Sequence, residues 1–418
     1  MDYIKIINGS KTYIDHVVLL VSGIFTFFLP LDFYVLSYFI GLMVLVGLFQ
    51  FNKLNIQENI YKYKYSFMFF VFLFIWQSLS LIWSSDFSNG IKSIGHRAFF
   101  IVAPLLFLLF KKWPSDKIIK IFIISNFLVC LICFGNLISF FVNEKMYFIE
   151  KTINKGISLE TFSYISYHSS VNFFPFDAHR LYFSFSLLSC LLFIFFYNNI
   201  IKYQYLLSFI FVFVIFLLQS KISVILLIIL LFYKFYKKFR QSSIKMRVSI
   251  LFISVVIICI GFYLSKIRFN HFINEISVVS ENREGSLIER YQYSKCSIEL
   301  IRESPFFGYG VGDIDNVIKE KLIKYNYSYL IEKGVYDPHN EFLKSYIGMG
   351  VIGFVLFVSI FICLFYKSYR EKNIVLFFYT GFVFIICLIE PFLSRQAGIL
   401  PVLFFVGIIS NKERSIIK

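Results

Sequence analysis

The chain has 418 residues, of which 58% are hydrophobic and only 16% charged, with a formal net charge of +16; its mean hydropathy is +0.73. Ordinary soluble domains are nearer half apolar and a quarter charged. The composition therefore excludes a disordered chain, a disulfide-rich secreted miniprotein and an ordinary cytosolic enzyme. A bilayer-spanning helix takes about 20 mostly apolar residues, and the apolar content suffices for about a dozen of them.

Twelve apolar runs predict helices at 17–30, 33–51, 66–83, 94–110, 118–142, 180–197, 203–219, 222–233, 248–265, 341–366, 373–390 and 396–410. The stretch before the first run is polar, so no cleavable leader is expected and the first helix is retained. Six of the seven cysteines lie inside apolar runs. That placement argues against a disulfide framework, and Cys130-x-x-Cys133, inside one such run, reads as packing.

Orientation follows from counting charges. If both termini are cytoplasmic, the seven short connections on that side carry 21 basic and six acidic residues. Lys and Arg collect in cytoplasmic connections. The expectation is an all-α integral membrane protein of about 12 transmembrane helices with both termini cytoplasmic. Nine helices fall within 1–265, with an outer loop at about 143–179. A large outer loop follows at 266–340, and helices ten to twelve occupy 341–418. Because the basic residues are scattered over seven loops, nucleic acid is not an expected partner.

The 266–340 loop holds ten basic and eleven acidic residues and is too long for a simple connector. Ser286 to Glu289 matches a capping box that starts a helix. Leu287, Tyr291, Ile298 and Ile301 follow at helical spacing as its apolar side. The helix should stop near Ser304-Pro305. Gly308, Gly310 and Gly312 read as a flexible turn, and a second amphipathic stretch runs from Val317 to Tyr325. Asp337-Pro338 restarts a helix, which puts His339, Asn340 and Glu341 in its first turn at the outer boundary.

Ionisable groups in or beside an apolar layer are costly, so they are the first functional candidates. Lys221 sits in a tight outer connection, read either as a snorkelling interface lysine or as a cation at the rim of a cavity. Arg290 lies on the loop helix, either solvated or functional. His339 is either a surface histidine or a proton carrier near neutral pH. His96-Arg97, His179-Arg180, Glu390 and Arg395 fall on the same outer side. Cations at that boundary suit a diphosphate whose lipid tail stays in the bilayer. Asp313 and Asp315 form a D-x-D that reads as turn residues, no metal site is recognised, and without a P-loop nucleotide use is not indicated.

Three stretches carry a family resemblance. They are Leu218-Gln219-Ser220-Lys221-Ile222-Ser223, the Arg290 helix leading into Ser304-Pro305-Phe306-Phe307-Gly308-Tyr309-Gly310, and Pro338-His339-Asn340-Glu341-Phe342-Leu343 running into Gly348-Met349-Gly350-Val351-Ile352-Gly353. In order and spacing the chain resembles the bacterial O-antigen ligase family, within the O-antigen ligase and polymerase superfamily of membrane glycosyltransferases. The resemblance is detailed over about 200–365.

That resemblance implies a transferase of the bacterial inner membrane with its active site facing the periplasm. A glycan on undecaprenyl diphosphate would be the donor and the lipid A-core oligosaccharide the acceptor, with no cofactor and no metal. His339 would orient or deprotonate the acceptor hydroxyl. Arg290 and Lys221 would bind the diphosphate, with Arg180 as a further contact. The position of Lys221 is usually arginine in the ligases, so the charge is kept but the two-pronged donor is lost. The polymerase of the same superfamily is the alternative. A twelve-helix transporter fits less well, because the longest loop falls after helix nine and on the outside rather than at a central cytoplasmic position.

Overall fold

A computed structural model describes residues 16–31, 35–49, 53–110, 112–143, 180–197, 199–218, 220–240 and 286–412. Every regular element among them is helical. In chain order these are α1 (His16–Leu31), α2 (Leu36–Phe49), α3 (Lys53–Leu79), α4 (Phe87–His96), α5 (Phe99–Leu109), α6 (Ser115–Asn143), α7 (Arg180–Phe196), α8 (Gln204–Leu218), α9 (Lys221–Arg240), α10 (Ser286–Glu303), α11 (Ile314–Lys324), α12 (Ser328–Lys333), α13 (Glu341–Arg370), α14 (Ile374–Cys387) and α15 (Gln396–Asn411). Segments 55–83, 87–109, 115–139 and 341–370 are long and apolar enough to cross a membrane, and six shorter apolar helices accompany them. The expected helix at 248–265 and the loop at 143–179 lie outside the described residues, apart from Asn143 at the end of α6.

Several boundaries differ from the sequence reading. The third helix starts at Lys53 rather than 66, and the short run at 222–233 extends over 221–240. In both cases a basic, aromatic-rich turn continues the helix beyond its apolar part. The run at 94–110 belongs to two helices that part at Arg97. Helix α10 stops at Glu303, before Pro305 as expected. Its buried face, however, is Tyr293, Cys296 and Leu300, whereas Tyr291 and Ile298 are exposed. Of the apolar side read from the sequence, Ile301 packs against this core, but Tyr291 and Ile298 do not, because α11 and α12 supply a second layer, with Ile318, Leu322 and Leu330, against the other side of the helix.

The chain forms two compact units, one comprising residues up to 125 and from 282 onward, the other 126–281. In the first, α3 packs on α5 and α13, α13 on α14, and α15 on α5. Phenylalanine fills the core: Phe25 meets Phe404 edge-on at 5.0 Å, Phe70 meets Phe100 at 5.2 Å and Phe342 meets Phe357 at 4.9 Å. Edge-to-face pairs of this kind add stabilisation beyond their buried area.

The polar groups of this unit gather at two opposite ends. At one, Asn59 donates to the carbonyls of Leu108 and Phe110, Lys367 donates to the Lys62 carbonyl, and Lys62 reaches Asn411. The other end carries the start of α13 and the end of α14, and with them His339 and Glu390.

In the second unit, Lys234 of α9 donates to the Phe195 carbonyl of α7, and Tyr233 packs on Phe196. Counting back along both helices, Lys221 and Arg180 lie roughly 20 Å from that contact at 1.5 Å per residue. So α7 and α9 run parallel, and each opens with one of the two expected cations at the same end.

Candidate active site

His339 precedes α13 rather than sitting in its first turn. Asn340 is the N-cap: its side-chain oxygen accepts from the backbone N–H of Phe342 and Leu343 at 2.9 and 3.1 Å, which satisfies two donors that a helix start leaves unpaired. The Asn340 amide donates to the Leu388 carbonyl at 3.0 Å. That bond ties the histidine turn to the end of α14, two residues from Glu390.

The backbone of His339 has φ +50°, a left-handed conformation that costs a non-glycine residue about 1 kcal/mol or more. Its surroundings hold it there. The His339 N–H donates to Asp337 Oδ1 at 3.0 Å, and the other Asp337 oxygen takes Lys344 at 2.6 Å. Burial pushes the Asp337 carboxyl up, but the Lys344 ammonium and the His339 N–H outweigh it and hold the group below its ordinary value. On the side of the large loop, Tyr293 meets the imidazole edge-on at 5.5 Å, and its hydroxyl is fixed on the Val335 carbonyl.

Glu390 joins the two expected catalytic residues. One oxygen lies 3.4 Å from His339 Nδ1, and the other lies 3.4 Å from Arg290 Nη2. Both contacts are at the long end for hydrogen bonds, as is common before a substrate tightens a site. Arg290 is about two-fifths exposed and His339 about a quarter, so both can be reached.

Beneath this cluster lies a buried ion pair. Arg97 Nη2 meets Glu341 Oε1 at 2.5 Å. Arg97 also donates to Gln77, to the Leu393 carbonyl and to Ser394, while Glu341 accepts from the Leu393 N–H and the Ser394 hydroxyl. Arg97 thereby fastens the first residue of α13 to the segment just after Glu390. The sequence marked Arg97 as a candidate, and the structure gives it and Glu341 a supporting role.

The glycine motifs form a second brace. Gly350 breaks α13, with φ 63° and ψ −164°, a combination open essentially to glycine alone. The break leaves backbone groups without helical partners, and the 305–310 loop takes most of them. Tyr309 N–H donates to the Ile347 carbonyl and Gly310 N–H to that of Gly348, both at 2.9 Å, and Val351 N–H donates to the Pro305 carbonyl at 2.9 Å. Trp76 Nε1 donates to the Met349 carbonyl. The expected flexible turn is therefore a pinned loop. Asp313 follows it with both oxygens engaged, accepting from the Ser84 hydroxyl and the N–H groups of Ser85 and Asp86. Asp313 takes the N-cap position of α11, in keeping with its reading as a turn residue, whereas Asp315 lies inside the first turn of that helix.

Lys221 and Arg180 open their helices in the second unit, Lys221 exposed and Arg180 half-buried. His96 and Arg395 are exposed at helix ends, and His179 lies outside the described residues. What sequence reasoning missed is the connection. Nothing in the spacing pairs Glu390 with His339, 51 residues away. The Asp337-x-His339 spacing, by contrast, was a legible signal for a side chain capping its own turn.

These features define a helical membrane-embedded protein with a histidine–carboxylate–arginine cluster at one end of its apolar helices. Residues 206–358 match the model of the family described as O-antigen ligase. The matched stretch contains Lys221, Arg290, His339 and both glycine motifs. Arg97, Arg180 and Glu390 fall outside it. Among curated proteins none matches the chain.

Proposed function

We propose that the protein is an O-antigen ligase-type glycosyltransferase of the bacterial inner membrane. It moves a glycan from undecaprenyl diphosphate to the lipid A-core acceptor at the periplasmic face. The observation that carries this reading is the junction of His339, Glu390 and Arg290 within a single cluster. Two of its three members lie in the family-matched region.

The basic residues support the orientation. Lys62, Lys367 and Lys412 collect at the end opposite His339, and lysine-rich ends face the cytoplasm. In the reaction, the Glu390 carboxylate accepts from His339 Nδ1–H. That leaves Nε2 to take the proton of an acceptor hydroxyl. The hydroxyl oxygen attacks the anomeric carbon, and the bond from that carbon to the diphosphate oxygen breaks. The electron pair leaves on the diphosphate, where Arg290 meets the growing charge. The resemblance gives Lys221 and Arg180 the same diphosphate as ligand. A histidine general base contributes about 10²–10⁴-fold.

The test is transfer by purified protein from lipid-linked glycan to lipid A-core. Wild type should form the product in the presence of a chelator, and His339→Ala should not. Activity lost on chelation and restored by magnesium contradicts the cation-only mechanism. Extension of glycan on the lipid carrier with no transfer to lipid A-core identifies the polymerase instead.

A further inference from the structure

A second feature of the first unit lies beside the catalytic cluster. An open cleft of about 1030 Å³ is bounded on one side by Trp83, Phe307 and Tyr309 and on the other by Asn316, Lys319 and Glu320. The aromatic wall is built by the brace described above. Pairing of Tyr309 and Gly310 with the broken helix sets the 305–310 loop. It leaves Phe307 more than half exposed, with its ring 5.8 Å from that of Trp83. The polar wall is one face of α11, since residues three and four apart on a helix lie side by side. All three of its side chains are exposed. Among the described residues, neither the Asn316 amide nor the Glu320 carboxylate has a hydrogen-bond or ion-pair partner.

We propose that this cleft binds an oligosaccharide segment, the glycan of the donor or of the acceptor, and delivers it to His339. Sugar rings present C–H faces that pack on aromatic side chains and hydroxyls that need both donors and acceptors. Here the aromatic wall meets the first need, and an amide, an ammonium and a carboxylate meet the second. Asp313 and Glu320 outnumber Lys319 among the charged lining groups, so the cleft does not select a phosphate. A lipid tail would leave its polar wall unsatisfied. The volume is at the upper end for ligand sites, and the cleft is open, so a chain can run out of it.

Its position also fits. The Lys319 ammonium lies 5.7 Å from the ring of Tyr336, three residues before His339, so the polar wall ends beside the catalytic turn. The delivery part of this proposal rests on the transferase reading above. Binding itself does not.

The experiment titrates detergent-solubilised full-length protein with two probes, the source bacterium's O-glycan released from lipid and its core oligosaccharide, while following tryptophan emission. Trp83 lines the cleft, and Trp76 and Trp113 are the only other tryptophans. A saturable change with one probe is expected, weakened at least tenfold in Asn316→Ala/Glu320→Ala. These are surface positions where folding should be unaffected. Saturation by the released O-glycan assigns the cleft to the donor chain, and saturation by the core oligosaccharide assigns it to the acceptor. The same double variant should raise KM for that substrate about tenfold at constant kcat. Binding without any transfer upholds the cleft and removes the transferase reading. Normal transfer with no saturable binding, and an unchanged KM in the double variant, overturns the cleft and leaves that reading intact.

Discussion

Glu390 stands between His339 and Arg290, with one carboxylate oxygen 3.4 Å from the imidazole Nδ1 and the other 3.4 Å from the guanidinium. A single carboxylate thus orients both the proposed base and the proposed diphosphate cation. The two are 49 residues apart in sequence and approach from different elements, a loop helix and a helix entry.

This arrangement predicts graded losses. His339→Ala should lower kcat at least ~100-fold, and Arg290→Ala should do the same through the leaving group. Glu390→Gln, which keeps the shape but loses the charge, should cost less than either. All three should insert in the membrane like wild type. A Glu390→Gln protein with unaltered kcat would show that the bridge is incidental.

The buried Arg97–Glu341 pair predicts an asymmetry between single and double changes. Arg97→Met alone strands the Glu341 carboxylate and should cost ~3–5 kcal/mol. Arg97→Met combined with Glu341→Leu should recover part of that stability while activity stays low, because the histidine turn loses its anchor. Thermal unfolding in detergent, together with transfer assays, checks both parts. Equal stability of the single and double variants contradicts the assignment.

Gly350→Ala tests the helix break. A Cβ there would lie 2.1 Å from the Phe306 carbonyl oxygen, on a backbone that alanine avoids. A loss of at least ~3 kcal/mol is expected, at the upper end for strained backbone. Wild-type unfolding temperature in that variant would show that the 305–310 loop is not pinned as described.

The large loop should be acid-sensitive. Hydrogen bonds from Lys324 and Tyr325 hold the Glu299 carboxyl at about 2, down from an ordinary 4.5. A carboxyl lowered on folding stabilises the folded state fully above its unfolded value, and the contribution is lost as pH falls through the folded value. The fall in unfolding temperature below pH 4.5 should therefore be steeper for wild type than for Glu299→Gln. Parallel curves would remove this contribution.

Lys221→Arg should retain activity, because the charge persists and arginine adds a forked donor. Arg180→Ala should raise the KM for the lipid-linked donor. An inactive Lys221→Arg enzyme would mean that the turn requires a lysine.

Much of this was legible in the sequence because membrane helices announce themselves by composition. The apolar runs at 341–366, 373–390 and 396–410 match α13 to α15 closely, and Asp337 to Glu341 was recognised as a helix entry. The loop helices were harder. Their cores are small, and Tyr293 rather than Tyr291 turns inward only because α11 and α12 pack there. Gly308, Gly310 and Gly312 were read as freedom, whereas Gly308, together with Gly350, enables a close backbone pairing that no local pattern encodes. Glu390 stood out as an ionisable residue between apolar runs, but its partners come from distant parts of the chain.

The most direct test of the central claim is a lipopolysaccharide gel from the source bacterium with this gene deleted and returned either as wild type or as His339→Ala. The account predicts that wild type restores O-antigen on the lipid A-core. With His339→Ala, it predicts bare core and long chains accumulating on the lipid carrier. A full O-antigen ladder with His339→Ala at normal membrane levels would contradict it.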